Sequence, residues 1–246
     1  SGWSKNKIKI FCYKLFLNLA DDIMVNSKMF QKEFFKIFKI KTKCILNPFD
    51  KNLIRKKLLK YKKIKFFEKK TLNLISVGRL TDQKDQLTLL KSLKYVNSNL
   101  KPRLIIIGKG RNLNILKEYA AGNKLQKIIK FTGYLNNPFP YIKQSEILIL
   151  TSKFEGLPNI LLEGQFLKKY IISTNCPTGP KEILLNGLAG DLIKIGDSKK
   201  LGYLINNYYY NKKNILKKIK LGSKLLGRFD YEVNCKQYLN FVLNNF

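Results

Sequence analysis

Between Leu72 and about Lys194 the chain alternates short runs of consecutive apolar residues with longer stretches of helix-like spacing. The runs cover residues 72–77, 104–107, 128–132, 147–151 and 170–174. Each is rich in Ile, Leu or Val and apolar on successive positions, the mark of strands buried on both faces. Helix candidates fall between and after them at residues 83–96, 113–121, 158–167 and 180–185. Strand–helix alternation at this spacing predicts an α/β fold with a doubly wound parallel sheet. Upstream, residues 5–20 read as a basic amphipathic helix and 22–27 as a strand ending in a polar turn. Residues 28–38 then read as a helix, and 42–46 as a strand stopped by Asn47-Pro48. Residues 49–70 carry lysines without clear periodicity and read as a linker or hinge. A final helix is expected at 231–245, after Phe229-Asp230. There is no internal repeat.

Composition narrows the picture. With 246 residues, 45% of them apolar, the chain can bury a sizeable core and reads as globular. Forty-eight basic against sixteen acidic residues give a net charge of +32. Part of that excess accompanies the abundance of Lys, Asn and Ile common in AT-rich genomes. The charge still draws polyanions such as nucleic acid, anionic lipid or phosphorylated substrates. Histidine is absent and the four cysteines form no CxxC pair, so neither a zinc site nor a His-based catalytic group is expected. Scattered thiols fit a reducing cytoplasm. The sequence opens Ser1-Gly2-Trp3 and reads as a piece of a longer protein.

No apolar run approaches the roughly 20 residues of a spanning helix. Any meeting with a membrane is therefore expected at its surface. Lys5, Lys7, Lys9 and Lys14 alternate with Ile8, Ile10, Phe11, Leu15, Phe16 and Leu19, a pattern suited to an anionic leaflet. The plain alternative is that the stripe is the core face of a helix orphaned by truncation.

Four local signals carry candidate chemistry. Val77-Gly78-Arg79-Leu80, with Lys84 following, sits at a strand-to-helix turn, where Arg and Lys suit a diphosphate. A solvated basic turn is the competing reading. Ile107-Gly108-Lys109-Gly110 repeats the strand-to-glycine pattern without a full GxGxxG, and a tight turn explains Gly110. The strongest signal is Ser152-Lys153-Phe154-Glu155-Gly156-Leu157-Pro158-Asn159-Ile160-Leu161-Leu162-Glu163. It sets one glutamate in a loop and a second eight residues on, in a helix with Pro158 at its first position. Free amides at such a helix start can hold phosphate or sugar oxygens, and the carboxylates can accept from sugar and ribose hydroxyls. A helix-dipole partner (Glu155) and a surface charge (Glu163) are the plain alternatives. The last signal, Asn175-Cys176-Pro177-Thr178-Gly179-Pro180-Lys181-Glu182, turns a strand into another helix start over the same sheet end.

In this order, together with Phe131-Thr132-Gly133, the signals resemble the family-4 glycosyltransferases of the two-domain GT-B fold. The branch they resemble builds bacterial surface glycans, oligosaccharides and lipopolysaccharide. The likeness runs from about Asp21 to the C-terminus. It implies the Rossmann-like C-terminal half of a GT-B fold with a remnant of a second Rossmann-like domain. The implied parts are an acceptor-domain tail at 1–47, a linker at 48–70, a donor-binding domain at 71–228 and a crossover helix at 229–246. Arg79 and Lys84 match the pair that neutralises the donor diphosphate. Glu155 matches the glutamate on the transferred sugar and Glu163 the one gripping the ribose. Gly156, Leu157, Pro158 and Asn159 match the loop that holds sugar and phosphate oxygens, and Gly133-Tyr134 the region receiving the base. Gly78 and Gly108 belong to the same donor site.

The implied activity is retaining transfer of a hexose or N-acetylhexosamine from a nucleotide sugar, UDP-linked in the family's common choice, to a glycan or lipid-linked acceptor. It implies no cofactor and no metal, and a cytoplasmic place, peripheral on the inner face of the membrane. The family's catalytic histidine and N-terminal glycine-rich loop are absent here, so either the N-terminal half is missing or the activity is lost, and the chain alone is expected to be inactive. Two other readings compete: a nucleotide-sugar epimerase of the same fold, which would be expected to carry histidines, and a basic nucleic-acid-binding protein. Against the latter, the charge is dispersed and no RNA-binding or zinc pattern appears, so nucleic acid is not an expected partner.

Overall fold

The computed structural model describes residues 7–59, 63–68 and 70–243. The elements run, in chain order, α1 (Lys7–Leu17), β1 (Met24–Val25), α2 (Lys28–Phe38), β2 (Lys43–Cys44), α3 (Lys51–Leu58), β3 (Leu72–Val77), α4 (Gln86–Ser92) and β4 (Pro102–Ile107). They continue as α5 (Leu113–Gly122), β5 (Ile129–Gly133), α6 (Phe139–Gln144), β6 (Ile147–Leu150), α7 (Asn159–Phe166) and β7 (Tyr170–Thr174). The last are α8 (Pro180–Ile183), β8 (Asp191–Ile193), α9 (Ser198–Tyr210), α10 (Lys212–Lys224) and α11 (Tyr231–Leu243).

The five apolar runs become β3 to β7, and β8 joins them in a six-stranded sheet of order β5-β4-β3-β6-β7-β8, every pair parallel. Side chains alternate between its faces. Leu74, Leu104, Ile106, Ile147 and Ile149 pack with Leu89, Leu90, Leu116, Leu201 and Ile205 of α4, α5 and α9. Ile75, Ile105, Leu148, Leu150 and Ile171 pack on the other face with Leu161 and Leu162 of α7 and Ile183 of α8. Burial on both faces is why β3, β4, β6 and β7 read as continuous apolar runs, whereas the edge strand β5 is only partly buried. The chain lays down β3, β4 and β5 outward, then returns to place β6 on the opposite side of β3. The loops after β3 and β6 therefore diverge at a topological switch point, where parallel sheets open a crevice for ligands.

Several expectations change in detail. The helix expected at 83–96 is delayed to Gln86, because Lys84 and Asp85 both donate their amides to the Thr81 carbonyl and Asp85 is left-handed, with φ 45°. Its end becomes a 3₁₀ turn at Leu93–Tyr95. The stretch read as a linker carries α3, whose start Asp50 caps by accepting from the Leu53 amide at 2.9 Å, with Ile54 buried beneath it. The sequence pattern assigned nothing to residues 186–228, which supply β8, α9 and α10. Residues 5 and 6 of the first expected helix, with Lys5, and residues 244 and 245 of the last lie outside the described residues.

The two-stranded parallel pair β1–β2 and α2 stand apart from the large sheet but are tied to it. Glu182, just after the Pro/Gly loop, accepts from the Ser27 hydroxyl at 2.7 Å and from the Lys28 and Met29 amides at 3.1 Å each. A carboxylate at that helix start satisfies orphan donors and complements the helix dipole. Helix α11 returns onto the same segment: Tyr238 Oη donates to the Ile45 carbonyl and Asn234 Nδ2 to that of Asn47. Along α1 the apolar Ile8, Phe11, Leu15 and Phe16 are exposed, as is Leu19 just beyond it. Among the described residues no helix is long and apolar enough to cross a membrane.

Candidate functional site

The loop after β3 delivers Arg79 and Lys84 to the switch point, and the loop after β6 delivers Glu155. Lys84 Nζ donates to Glu155 Oε1 at 2.5 Å, and the Ser152 hydroxyl donates to the same oxygen at 2.5 Å. The pair is largely sheltered, with 15% and 8% of the two side chains exposed, so water screens it less than a surface pair. The surrounding backbone is stitched together. Thr151 Oγ1 donates to the Lys84 carbonyl at 3.1 Å, Lys153 N to the Gln83 carbonyl at 2.7 Å, and Gln83 Nε2 to the Phe154 carbonyl at 3.0 Å. Arg79 is exposed, with Gln83 Oε1 3.5 Å away.

A cleft of about 460 Å³ opens beside this pair. Gly78, Arg79, Gly108, Tyr134, Phe139 and Glu163 line it. The glycines serve loop packing directly. A Cβ at Gly108 would overlap the Gly78 carbonyl oxygen, and one at Gly110 the Leu80 carbonyl oxygen, so the loop after β4 rests on the loop after β3. Gly110 is thus required by this close approach between loops, where the sequence suggested only a tight turn. Gly133 closes β5 and accepts from the Gly108 amide at 2.9 Å.

Glu163 stands at the cleft wall, half-buried. Loss of hydration pushes its carboxyl up to about 7, partly offset by the Lys57 ammonium. Lys57 comes from α3 and also lies over the Phe139 ring, 5.7 Å from its centroid. The linker reading of residues 49–70 missed this residue. The Asn47-Pro48-Phe49-Asp50 turn, with an Asp at the cap position, was the signal that could have found its helix.

Because the folded pKa of Glu163 lies above its ordinary 4.5, the protonated carboxyl favours folding. That contribution is lost as pH rises from about 4.5 through about 7. Glu163→Gln is therefore expected to raise the thermal unfolding midpoint above wild type at about pH 8 and to change it little at acid pH. Paired calorimetric scans at the two pH values check this; an equal shift at both would contradict it.

A second cavity, of about 390 Å³, lies where α2 faces the loops after β6 and β7. Asn26, Phe30 and Glu33 line one side, and Phe154, Glu155, Gly156 and Thr178 the other. Thr178 Oγ1 donates to the Glu155 carbonyl, and a Cβ at Gly179 would overlap the Gly156 carbonyl oxygen. Leu157 and Pro158 are buried beneath the loop. Pro158 is the N-cap of α7, with ψ 105°, so the helix begins at Asn159 and not at the proline as expected. Asn159 Oδ1 accepts from Asn47 Nδ2 at 2.9 Å, which ties this loop to the N-terminal segment. Of the residues singled out in the sequence, Gly78, Arg79, Gly108, Tyr134 and Glu163 meet in one cleft, and Glu155 and Gly156 in its neighbour. Lys84 bridges from the first loop to Glu155. Gly133, Leu157, Pro158 and Asn159 line neither.

This parallel sheet, with its crevice at the switch point, is that of the GT-B glycosyltransferases. The chain superposes on the crystal structure of Anabaena HepE in complex with UDP-glucose with a TM-score of 0.82, covering 96% of this chain and 68% of that one at 19% identity. More particularly, residues 59–221 match the glycosyl transferases group 1 family, and the chain belongs to that family. An uncharacterized glycosyltransferase of Methanocaldococcus jannaschii is 36% identical over 222 residues, 87% of this chain and 51% of that protein. The Campylobacter jejuni N-acetylgalactosamine-N,N'-diacetylbacillosaminyl-diphospho-undecaprenol 4-alpha-N-acetylgalactosaminyltransferase is 26% identical over 208 residues, 81% of this chain and 54% of that protein. The chain spans about half the length of these curated relatives.

Proposed function

We propose that this chain is the donor-binding part of a retaining glycosyltransferase. It would move a hexose or N-acetylhexosamine from a UDP-sugar to a surface glycan, oligosaccharide or lipid-linked acceptor. The observation that carries this reading is the sheltered Lys84–Glu155 pair at the switch point, beside a nucleotide-sized cleft that ends on Glu163. Complexes of a structural relative with UDP-glucose and the diphospho-undecaprenol acceptor in the name of the Campylobacter enzyme support the donor and acceptor classes.

In this reading the nucleoside enters the 460 Å³ cleft, its base near Gly133 and Tyr134 and its ribose hydroxyls donating to Glu163. The diphosphate lies toward Arg79, Lys84 and the amides around Gly156 to Asn159. Breaking the sugar–phosphate bond develops positive charge at the anomeric carbon and negative charge on the leaving diphosphate. Fixed cations stabilise that developing charge without having to reorganise, the effect that dominates such sites. Lys84 is held on Glu155 until an anion shares it, so the same contact that receives phosphate also sets Glu155 against the sugar. The acceptor hydroxyl gives its proton to the leaving phosphate on the same face, which retains the anomeric configuration. Two protein cations supply the charge, and no metal is called for.

The domain roles follow: residues 1–47 as acceptor-domain tail, 48–70 as connector, 71–228 as donor domain and 229–246 as crossover helix. The return of α11 onto residues 43–47 supports the last of these. The exposed apolar side chains of α1 support attachment to the inner face of the cytoplasmic membrane.

The chain by itself is expected to bind UDP without transferring sugar. Titration calorimetry with UDP, paired with a turnover assay on the 246-residue chain, tests this. Absence of UDP binding would overturn the donor reading, and steady transfer would overturn the expected inactivity.

A further inference from the structure

Arg79 also lines a third cavity, of about 500 Å³. Three loops wall it: Arg79, Thr81, Asp82 and Gln83 after β3, Arg111 after β4, and Lys153 and Phe154 after β6. Three cations against one carboxylate leave two positive charges in excess. The loops form one unit. Gly110 seats the Arg111 loop on the Leu80 carbonyl, Asn112 N donates to that same carbonyl at 3.1 Å, and Lys153 N bonds the Gln83 carbonyl.

The cations converge. Arg111 Nη2 donates to Asp82 Oδ2, and Asn112 Nδ2 donates to Asp82 Oδ1 at 2.8 Å. Hydrogen bonds from Asn112 and Arg111, then the charges of Arg111 and Lys153, hold the Asp82 carboxyl below its ordinary range. The Asp82 carboxylate thus marks the point at which these donors stabilise an anion. Arg111 and Asp82 are exposed, and an exposed pair of this kind is weak and readily exchanged. Arg79 also lines the nucleotide cleft, so an anion in this cavity lies next to the donor's diphosphate. Gln83 and Phe154 line both this cavity and the one at Glu155.

We propose that this cavity is a second anion subsite, which takes a phosphate or diphosphate group carried by the acceptor. The proposal rests on the donor reading above and deepens it by naming the acceptor's chemistry. The planar guanidinium of Arg111 and the Lys153 ammonium bond the phosphate oxygens, while Asp82 turns out to solvent. An acceptor anchored there reaches the Glu155 cavity around the shared wall of Gln83 and Phe154. The ligand is either a lipid diphosphate or a water-soluble phosphorylated glycan.

Inorganic pyrophosphate is titrated by calorimetry into the chain held saturated with UDP. Wild type is expected to bind it at a second site. The Arg111→Ala/Lys153→Ala double variant is expected to bind it roughly tenfold or more weakly, as for loss of charged hydrogen bonds. Its UDP affinity should stay within about twofold of wild type, since neither side chain lines the nucleotide cleft. Equal pyrophosphate affinity in wild type and variant overturns the proposal, because dispersed charge would then be enough. Pyrophosphate that only displaces UDP overturns it as well. In a second arm, phosphatidylcholine vesicles doped with a polyprenyl diphosphate are compared with vesicles doped to equal charge with phosphatidylglycerol. Preferential retention of the former, lost in the variant, assigns the lipid source; equal retention with pyrophosphate binding intact assigns a water-soluble acceptor. A wild-type chain that fails to bind UDP overturns the donor reading instead, and the wild-type against variant comparison still decides this one.

Discussion

Glu163→Ala and Arg79→Ala are each expected to weaken UDP binding by about 1.5–3 kcal/mol, the cost of losing hydrogen bonds to a charged group. Both side chains line the same cleft, Glu163 from α7 and Arg79 from the loop after β3. Glu155→Ala is expected to spare UDP affinity and instead to erase discrimination among UDP-sugars. The reason is spatial: Glu155 faces the neighbouring cavity, shared with Phe30 and Thr178, whereas Glu163 faces the 460 Å³ cleft proposed for the nucleotide. Binding of UDP, UDP-glucose and UDP-N-acetylglucosamine to the three variants separates these effects. Equal losses of UDP affinity in Glu155→Ala and Glu163→Ala would refute the division of roles. The affinity of wild type should also rise with pH through about 7, because the ionised Glu163 accepts hydroxyl donors and the protonated acid accepts fewer.

Gly179→Ala is expected to destabilise the fold by about 3 kcal/mol or more, the upper end for overpacking with backbone strain added. A methyl group there would overlap the Gly156 carbonyl oxygen and stand 2.7 Å from Pro158 Cδ, with φ at +41°. Neither neighbour is a flexible side chain, so one of the two loops must move. Gly187→Ala is the control: φ is +98° but nothing lies within 4 Å of the added carbon. Its cost should stay near the roughly 1–2 kcal/mol of left-handed strain. Thermal unfolding of both variants checks the contrast. A Gly179→Ala midpoint no lower than that of Gly187→Ala would show that the loops yield freely. Since those loops hold Glu155 through Thr178, the destabilised variant should also lose preference among UDP-sugars.

The regular elements were legible wherever one period ruled the pattern. Strands β3, β4, β6 and β7 are buried on both faces, so each left an unbroken apolar run in the sequence. Helix α2 left a polar cap, Ser27, which accepts from the Phe30 amide at 3.1 Å. Helices α3, α9 and α10 were harder to read. Lysine, asparagine and tyrosine fill their exposed faces, and few buried residues (Ile54, then Leu201 and Ile205, then Ile215) mark the core side. With so few contrasts along a lysine-rich stretch, the period is lost in composition.

The local sequence also determined the order of the candidate chemistry: Gly78, Arg79 and Lys84 after one strand, Glu155 and Glu163 around another. It could not say which of these meet, since pairing Lys84 with Glu155 joins residues 71 apart in the chain. That contact exists because β6 returns to the far side of β3, a consequence of strand order and not of any local preference. The same holds for Glu163, whose pKa is raised by its burial and partly lowered again by Lys57, more than a hundred residues earlier. Periodicity and turn chemistry act over a few residues and so are written in the sequence. Desolvation, charge pairing and the convergence of three loops on Asp82 act through space, and only the tertiary structure decides them.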